Sequence, residues 1–141
     1  MIKLIMLPRT RSGMTRAELR DHLEHVHAPL CLSLPEIGGQ FRQYAHHYTL
    51  DGVADPILNA RPADLDALTI IQLNDEASFK ATIASDAYQK FVLPDEDRFR
   101  EREGSVGLPV RETVFHNGSS RSQRRVFHLR RVVTGLGSRL I

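Results

Sequence analysis

The 141-residue sequence has one cysteine, no tryptophan and no long hydrophobic run. A single cysteine, Cys31, excludes an intramolecular disulfide framework, and there is no CxxC pair or Cys/His finger spacing. A reducing, cytoplasmic setting is the expectation. The apolar opening MIKLIMLPRT ends at Pro8 and Arg9, too early for a signal peptide's apolar core and far short of a membrane span. No GxGxxG or GxxxxGK[ST] loop and no GxSxG elbow occurs, so neither a nucleotide cofactor nor a serine nucleophile is expected. No metal is expected either: His22, His25 and His27 lack the i, i+4 spacing that places two imidazoles together on a helix. Charge of one sign is also scarce. Lys and Arg exceed Asp and Glu by two, too little for a nucleic-acid or membrane partner. The basic excess sits at the end, where 121–139 holds six arginines and no acid, leaving the first 120 residues net acidic.

What is present fits one globular domain with a core, at 41% hydrophobic and 26% charged residues. Ile2 to Leu7 is apolar at nearly every position and predicts a strand buried on both faces. Thr15 and Glu18 form a capping box that opens an amphipathic helix from Thr15 to Leu30, ended by Pro29, Pro35 and the Gly38-Gly39 pair. At about 100° per residue its apolar stripe holds Leu19, Leu23, Val26 and Leu30, with His27 at the stripe's edge, His22 on the other edge and His25 toward solvent. Phe41 to Leu50 predicts a half-buried strand, Asp51 to Asp66 a long loop, and Ala67 to Leu73 a third strand apolar on both faces. Asn74 or Asp75 caps a helix through Ile83. A second piece runs from Asp86 to Arg102 with Pro94 interrupting it; Gly104 and Gly107 end it, and Val110 to His116 is a fourth strand.

Strand, helix, strand, strand, helix, strand is the α+β ferredoxin-like βαββαβ order, an antiparallel sheet with helices on one face. Two helices cover one face only, so two-faced apolar strands call for a homodimer joined sheet to sheet. The domain is expected over 1–116, with 117–141 a basic tail or extra strand.

The chemistry available is acid-base. His27 titrates near neutral pH and is a candidate general base. Tyr44, His46 and Tyr48 share one face of the second strand and are candidate donors to a substrate oxygen, where an enolate or phenolate develops; if the strand is turned the other way, His47 replaces them. Arg9 and Arg11 lie in a turn, where arginines are usually solvated, and Cys31 reads as a buried structural thiol.

The run LPRTRSGMTRAELRDHLEHVHAPL, followed by QYAHHYTLDG and closed by LPVRETVF, resembles the EthD domain family of dimeric α/β barrels across about residues 1–116. The resemblance implies a ferredoxin-like subunit, a sheet-to-sheet homodimer and a pocket between sheet and helices, with His27 in the place of the family's helix-end histidine. It also implies function. The family's first recognised member is linked to ether degradation alongside an oxidising system, and fungal relatives look like dehydratases or decarboxylases of aromatic polyketides. Related barrels include cofactor-free cyclases and monooxygenases. A cofactor-independent lyase or oxidoreductase acting on a hydrophobic aromatic or polyketide-like molecule is the first expectation; a non-catalytic ligand-binding or accessory protein of an oxidising degradation system is the second. The sequence departs from the family in Tyr48, which stands where a strand histidine is often found, and in the tail beyond residue 117.

Overall fold

The computed structural model describes residues 1–50, 65–116, 131–134 and 137–140. Strands β1 (Ile2–Thr10), β2 (Gln43–Tyr48), β3 (Ala67–Leu73) and β4 (Arg100–Val110) form an antiparallel sheet in the order β2-β3-β1-β4. Helices α1 (Arg16–His22), α2 (Ala28–Ser33) and α3 (Pro35–Gly38) connect β1 to β2, and α4 (Glu76–Ala84) and α5 (Leu93–Phe99) connect β3 to β4. This is the expected α+β, ferredoxin-like arrangement. The two strands that read as apolar on both faces, β1 and β3, are the inner pair, in register from Ile2 opposite Leu73 to Met6 opposite Thr69.

Register sorts the side chains into two faces. Leu4 and Met6 stand opposite Ile71 and Thr69, which in turn stand opposite Tyr44 and His46, so all six share one face. That face lies under the helices. On the other face lie Ile5, Leu7, Ala45, His47, Leu68 and Ile70, of which Leu7, Leu68 and Ile70 are buried.

The cap of α1 is as read: the Glu18 backbone N–H donates to Thr15 Oγ1, and the Thr15 N–H donates to the Glu18 carboxylate. The helix does not stop at Pro29. A π-helical turn, Leu23–His27, follows α1, with the Ala28 N–H donating to the Leu23 carbonyl, and α2 continues directly through Pro29. Pro29 sits in the first turn of α2, where a missing N–H is tolerated. The wider turn also moves the apolar stripe. Val26, expected inside, is 40% exposed, and His27, expected at the stripe's edge, is buried at 7%. The buried positions are Leu19, Leu23, His27 and Cys31, spaced by four. In an α-helix each step of four residues overshoots a full turn by about 40°, and the π turn takes up the excess.

The second helical piece repeats the device. A π turn at Tyr88–Val92 closes with the Leu93 N–H on the Tyr88 carbonyl, and α5 begins at Leu93 with Pro94 in its first turn. Here the expected boundaries shift: the helix ends at Phe99 rather than Arg102, and β4 occupies 100–110, while 111–116 is not strand. Gly104 and Gly107 lie inside β4 instead of ending a helix. The pairing with β1 slips between Leu7 opposite Val106 and Arg9 opposite Glu101, and Gly104 supplies the left-handed backbone, φ 85°, that the bulge needs. A glycine at a bulge and a glycine after a helix carry the same sequence signal.

Two apolar clusters hold the helices to the sheet. Leu19, Leu23, Ala67 and Phe99 form one, with Met14 and Tyr48 against it; Cys31, Ile37, Ala87 and Val92 form the other, flanked by Phe41, Tyr44 and Tyr88. Each fully buried leucine side chain contributes about 1.5–3 kcal/mol.

The chain divides into two compact units, one of residues 1–54 with 64–112 and one of 55–63 with 113–141. In the second, β5 (Arg131–Thr134) and β6 (Gly137–Leu140) pair antiparallel as a separate two-stranded sheet. The loop expected at 51–66 lies outside the described residues except for its last two, as does the basic segment 117–130.

Candidate functional site

The two helical passes and the sheet enclose a cavity of about 440 Å³. Leu23, His27 and Cys31 line it from the first pass and Tyr88, Val92 and Glu96 from the second, both sets at spacing four. The sheet contributes Leu4 and Met6 from β1, Tyr44 from β2, Thr69 and Ile71 from β3, and Arg100 from the start of β4. Most of the wall is apolar. Its polar groups are gathered where the two passes meet.

Asp95 of α5, 6% exposed, organises that meeting point. Its Oδ2 accepts from His27 Nδ1 at 2.8 Å and its Oδ1 from His22 Nε2 at 3.0 Å. Both imidazoles also pack on Phe99, at 4.9 Å between ring centroids for His27 and 5.3 Å for His22. A carboxylate only accepts, so His27 carries its proton on Nδ1, and Nε2 keeps a lone pair directed to the Cys31 thiol, 3.6 Å away. Burial lowers the His27 pKa below its ordinary value, although the hydrogen bond to Asp95 acts in the opposite sense. The resting pair is therefore a neutral imidazole on a carboxylate. This is the arrangement that fixes a histidine's tautomer and aims its free nitrogen.

The neighbouring hydroxyls and thiol are held protonated. Burial pushes the Cys31 thiol up to about 12, and burial with the neighbouring Cys31 raises the Tyr44 phenol well above its usual range. On the second pass the buried Glu96 accepts from the Tyr88 hydroxyl at 3.0 Å and is paired with Arg100. Burial first, then Glu96, raises the Tyr88 phenol. Among the described residues no group of three or more His, Cys, Asp or Glu side chains is arranged to hold a metal ion.

Residues 11–103 match the EthD domain. The chain belongs to the EthD family. No curated protein matches the chain. Among solved structures, an EthD family protein from Bacillus halodurans C-125 is 18% identical, with a TM-score of 0.59, over 80% of this chain and 99% of that one. A dimeric ferredoxin-like protein of unknown function from Thermobifida fusca YX is 17% identical, with a TM-score of 0.54, over 77% and 88%. An antibiotic biosynthesis monooxygenase is 12% identical, with a TM-score of 0.52, over 81% and 100%. At these identities the likeness is one of fold.

Within this EthD domain the expected residues separate. His27 and Tyr44 line the cavity. His46 is on the same strand face but behind Tyr44, their rings 4.8 Å apart, with its Nδ1 at 2.8 Å from Thr69 Oγ1. Burial, then the charges of His27 and His47, lowers His46 to about 4. Tyr48 packs with Leu19, Leu23 and Phe99 beneath the Arg20 guanidinium, 5.0 Å from its ring, and does not line the cavity. Burial and Glu24 push its phenol up to about 12. His47 stands on the opposite sheet face, beside Leu68, which settles the strand's orientation. Arg9 lies beside Glu101 at the bulge and Arg11 donates to the Asp97 carbonyl, both away from the cavity. His25 is exposed and pairs with Asp21.

Four polar residues of the site are not among the expected ones: Tyr88, Asp95, Glu96 and Arg100. Acids just after a proline read as a solvated helix start, favoured by the helix dipole. The sequence does hold a hint. His27-Ala-Pro and Val92-Leu-Pro occupy the same position, each closing a π turn two residues before a proline, so Glu96 is the counterpart of Cys31.

Proposed function

We propose that this protein is a small enzyme that uses His27 as a general base on a hydrophobic aromatic or polyketide-like molecule bound in the cavity. Asp95 holds His27 in the tautomer that leaves Nε2 free to take a proton, and Tyr44 donates its hydroxyl to the carbonyl or phenol oxygen where charge develops. His46 and Tyr48 support this face from behind, His46 by fixing Thr69 and Tyr48 by packing beneath the first helical pass. The single observation that carries the reading is the 2.8 Å Asp95–His27 contact beside an apolar cavity. A site that only stored a ligand has no need of an aimed, neutral imidazole. Dehydration, aldol-type cyclisation and cofactor-free oxygenation can open with such a proton transfer, and in a decarboxylation His27 would return a proton to the carbon that loses CO2. The subunit is proposed to work as a homodimeric α/β barrel, a reading supported by a similar structure described as a dimeric ferredoxin-like protein.

The test uses a hydrophobic aryl ketone, 2-tetralone, in deuterated buffer, with exchange of its acidic C–H protons followed by NMR. The wild type is expected to accelerate exchange above buffer, and His27→Gln to remove about 10²–10⁴ of that acceleration. Saturable binding with no exchange would turn the assignment to the ligand-binding or accessory reading. An unaltered rate in His27→Gln would refute His27 as the base.

A further inference from the structure

The base is aimed at a second functional group. His27 Nε2 lies 3.6 Å from Cys31 Sγ, and His27 Nδ1 lies 2.8 Å from Asp95, so carboxylate, imidazole and thiol stand in line on the wall of the cavity. In the sequence alone Cys31 reads as a buried structural thiol with no base beside it. The i, i+4 spacing of His27 and Cys31 across the first turn of α2 supplies one.

The rest of the wall narrows what this line of groups does. Cys31 lies inside α2, where backbone N–H groups belong to the helix, so among the described residues its own segment offers no pair of free backbone donors to the sulfur. A tetrahedral alkoxide, as in acyl transfer, has no cradle there. The donor at hand is the hydroxyl of Tyr44, which lines the same cavity as Cys31. The wall on either side is apolar, from Leu4, Met6, Ile71 and Val92.

We propose that Cys31 adds reversibly to apolar α,β-unsaturated carbonyl compounds, with His27 moving the proton and Tyr44 holding the enolate. The inference rests on the general-base role of His27. As Sγ bonds to the β-carbon, the thiol proton passes to His27 Nε2 and the C=C electron pair moves onto the carbonyl oxygen. His27 then delivers the proton to the α-carbon. Atoms and electrons balance with no oxidant or reductant, and the reverse elimination regenerates the thiol. A thiol that stays protonated at rest gains little from being a thiolate in advance; it needs the base at the moment of attack.

The probe is 4-phenylbut-3-en-2-one, incubated with the intact protein at pH 7 and followed by intact mass and peptide mapping. One adduct on Cys31 is expected, absent in Cys31→Ser, and at least tenfold slower in His27→Gln. Tyr44→Phe, which keeps its ring in the wall, is expected to slow addition severalfold and serves as the second variant should His27→Gln fail to fold. No adduct on the native chain under conditions that label the urea-unfolded chain overturns the inference, as do equal rates in the wild type and both variants. Ketone exchange by the wild type is measured alongside. Exchange without adduct overturns the role of Cys31 alone, whereas loss of both overturns the general base with it.

Discussion

The two helical passes over the sheet share one backbone plan and carry opposite chemistry. In each, an α or irregular lead-in gives way to a five-residue π turn, then to an α-helix with proline as its second residue. In each, side chains at spacing four reach the cavity: Leu23, His27 and Cys31 in the first, Tyr88, Val92 and Glu96 in the second. The first supplies a base and a thiol and the second supplies acids and a phenol. Neither makes a site alone. Asp95, one residue before Glu96, crosses from the second pass to hold two imidazoles of the first. The comparison teaches that the backbone device sets which positions face inward, and that function enters through which residues occupy them.

The largest expected effect tests the inward positions themselves. Leu23→Ala should cost about 2–5 kcal/mol, because it empties a site buried to 1%. Val26→Ala, three residues on and on the apolar stripe of an ideal helix, should change stability by less than about 0.5 kcal/mol. Urea unfolding of the two variants compares them directly, and equal losses would contradict the π turn.

Next in size is the link between the passes. Asp95→Ala strips the buried His27 and the half-buried His22 of their acceptor, at about 1–3 kcal/mol for the first and about 1 kcal/mol for the second, so a loss of about 2–4 kcal/mol is expected by the same measurement. The variant should also titrate His27 at still lower pH, since the carboxylate is what opposes the burial effect. Histidine resonances followed by NMR would read this; an upward movement would contradict the assigned pairing.

The smallest effect concerns the sheet side of the cavity, where His46 titrates at about 4 when folded and near 6.5 when unfolded. Between these values the unfolded chain binds the extra proton, so this residue's contribution to stability falls as the pH drops from 6.5 toward 4. His46→Gln should flatten that part of the stability profile, by on the order of 2 kcal/mol between pH 7.5 and 4.5. An unchanged slope would show that His46 titrates normally in the folded protein.

The fold was legible where periodicity and caps are local. The Thr15-Glu18 box, the two-faced runs of β1 and β3 and the strand-helix order each depend on residues close in sequence. What was not legible depends on an added residue or a distant partner. A helical wheel assumes one pitch, so it placed Val26 inside and His27 on the edge. Pro29 and Pro94 read as stops because the preceding π turns leave no mark in composition. Of the site, His27 and Tyr44 were found from their own faces, but Asp95 is 68 residues from His27, and its burial follows only from tertiary packing.

The π turns also bear on how this chain is to be compared with others. Each spends a residue more on its helix than a plain α-helix would, while the sheet and the caps fix where the helix begins and ends. A relative lacking the extra residue aligns with this chain only if a one-position gap is opened inside the helix, where gaps are ordinarily penalised most. Alignments that refuse the gap would set Val26 against the relative's inward residue and pair His27 and Cys31 with positions that face solvent.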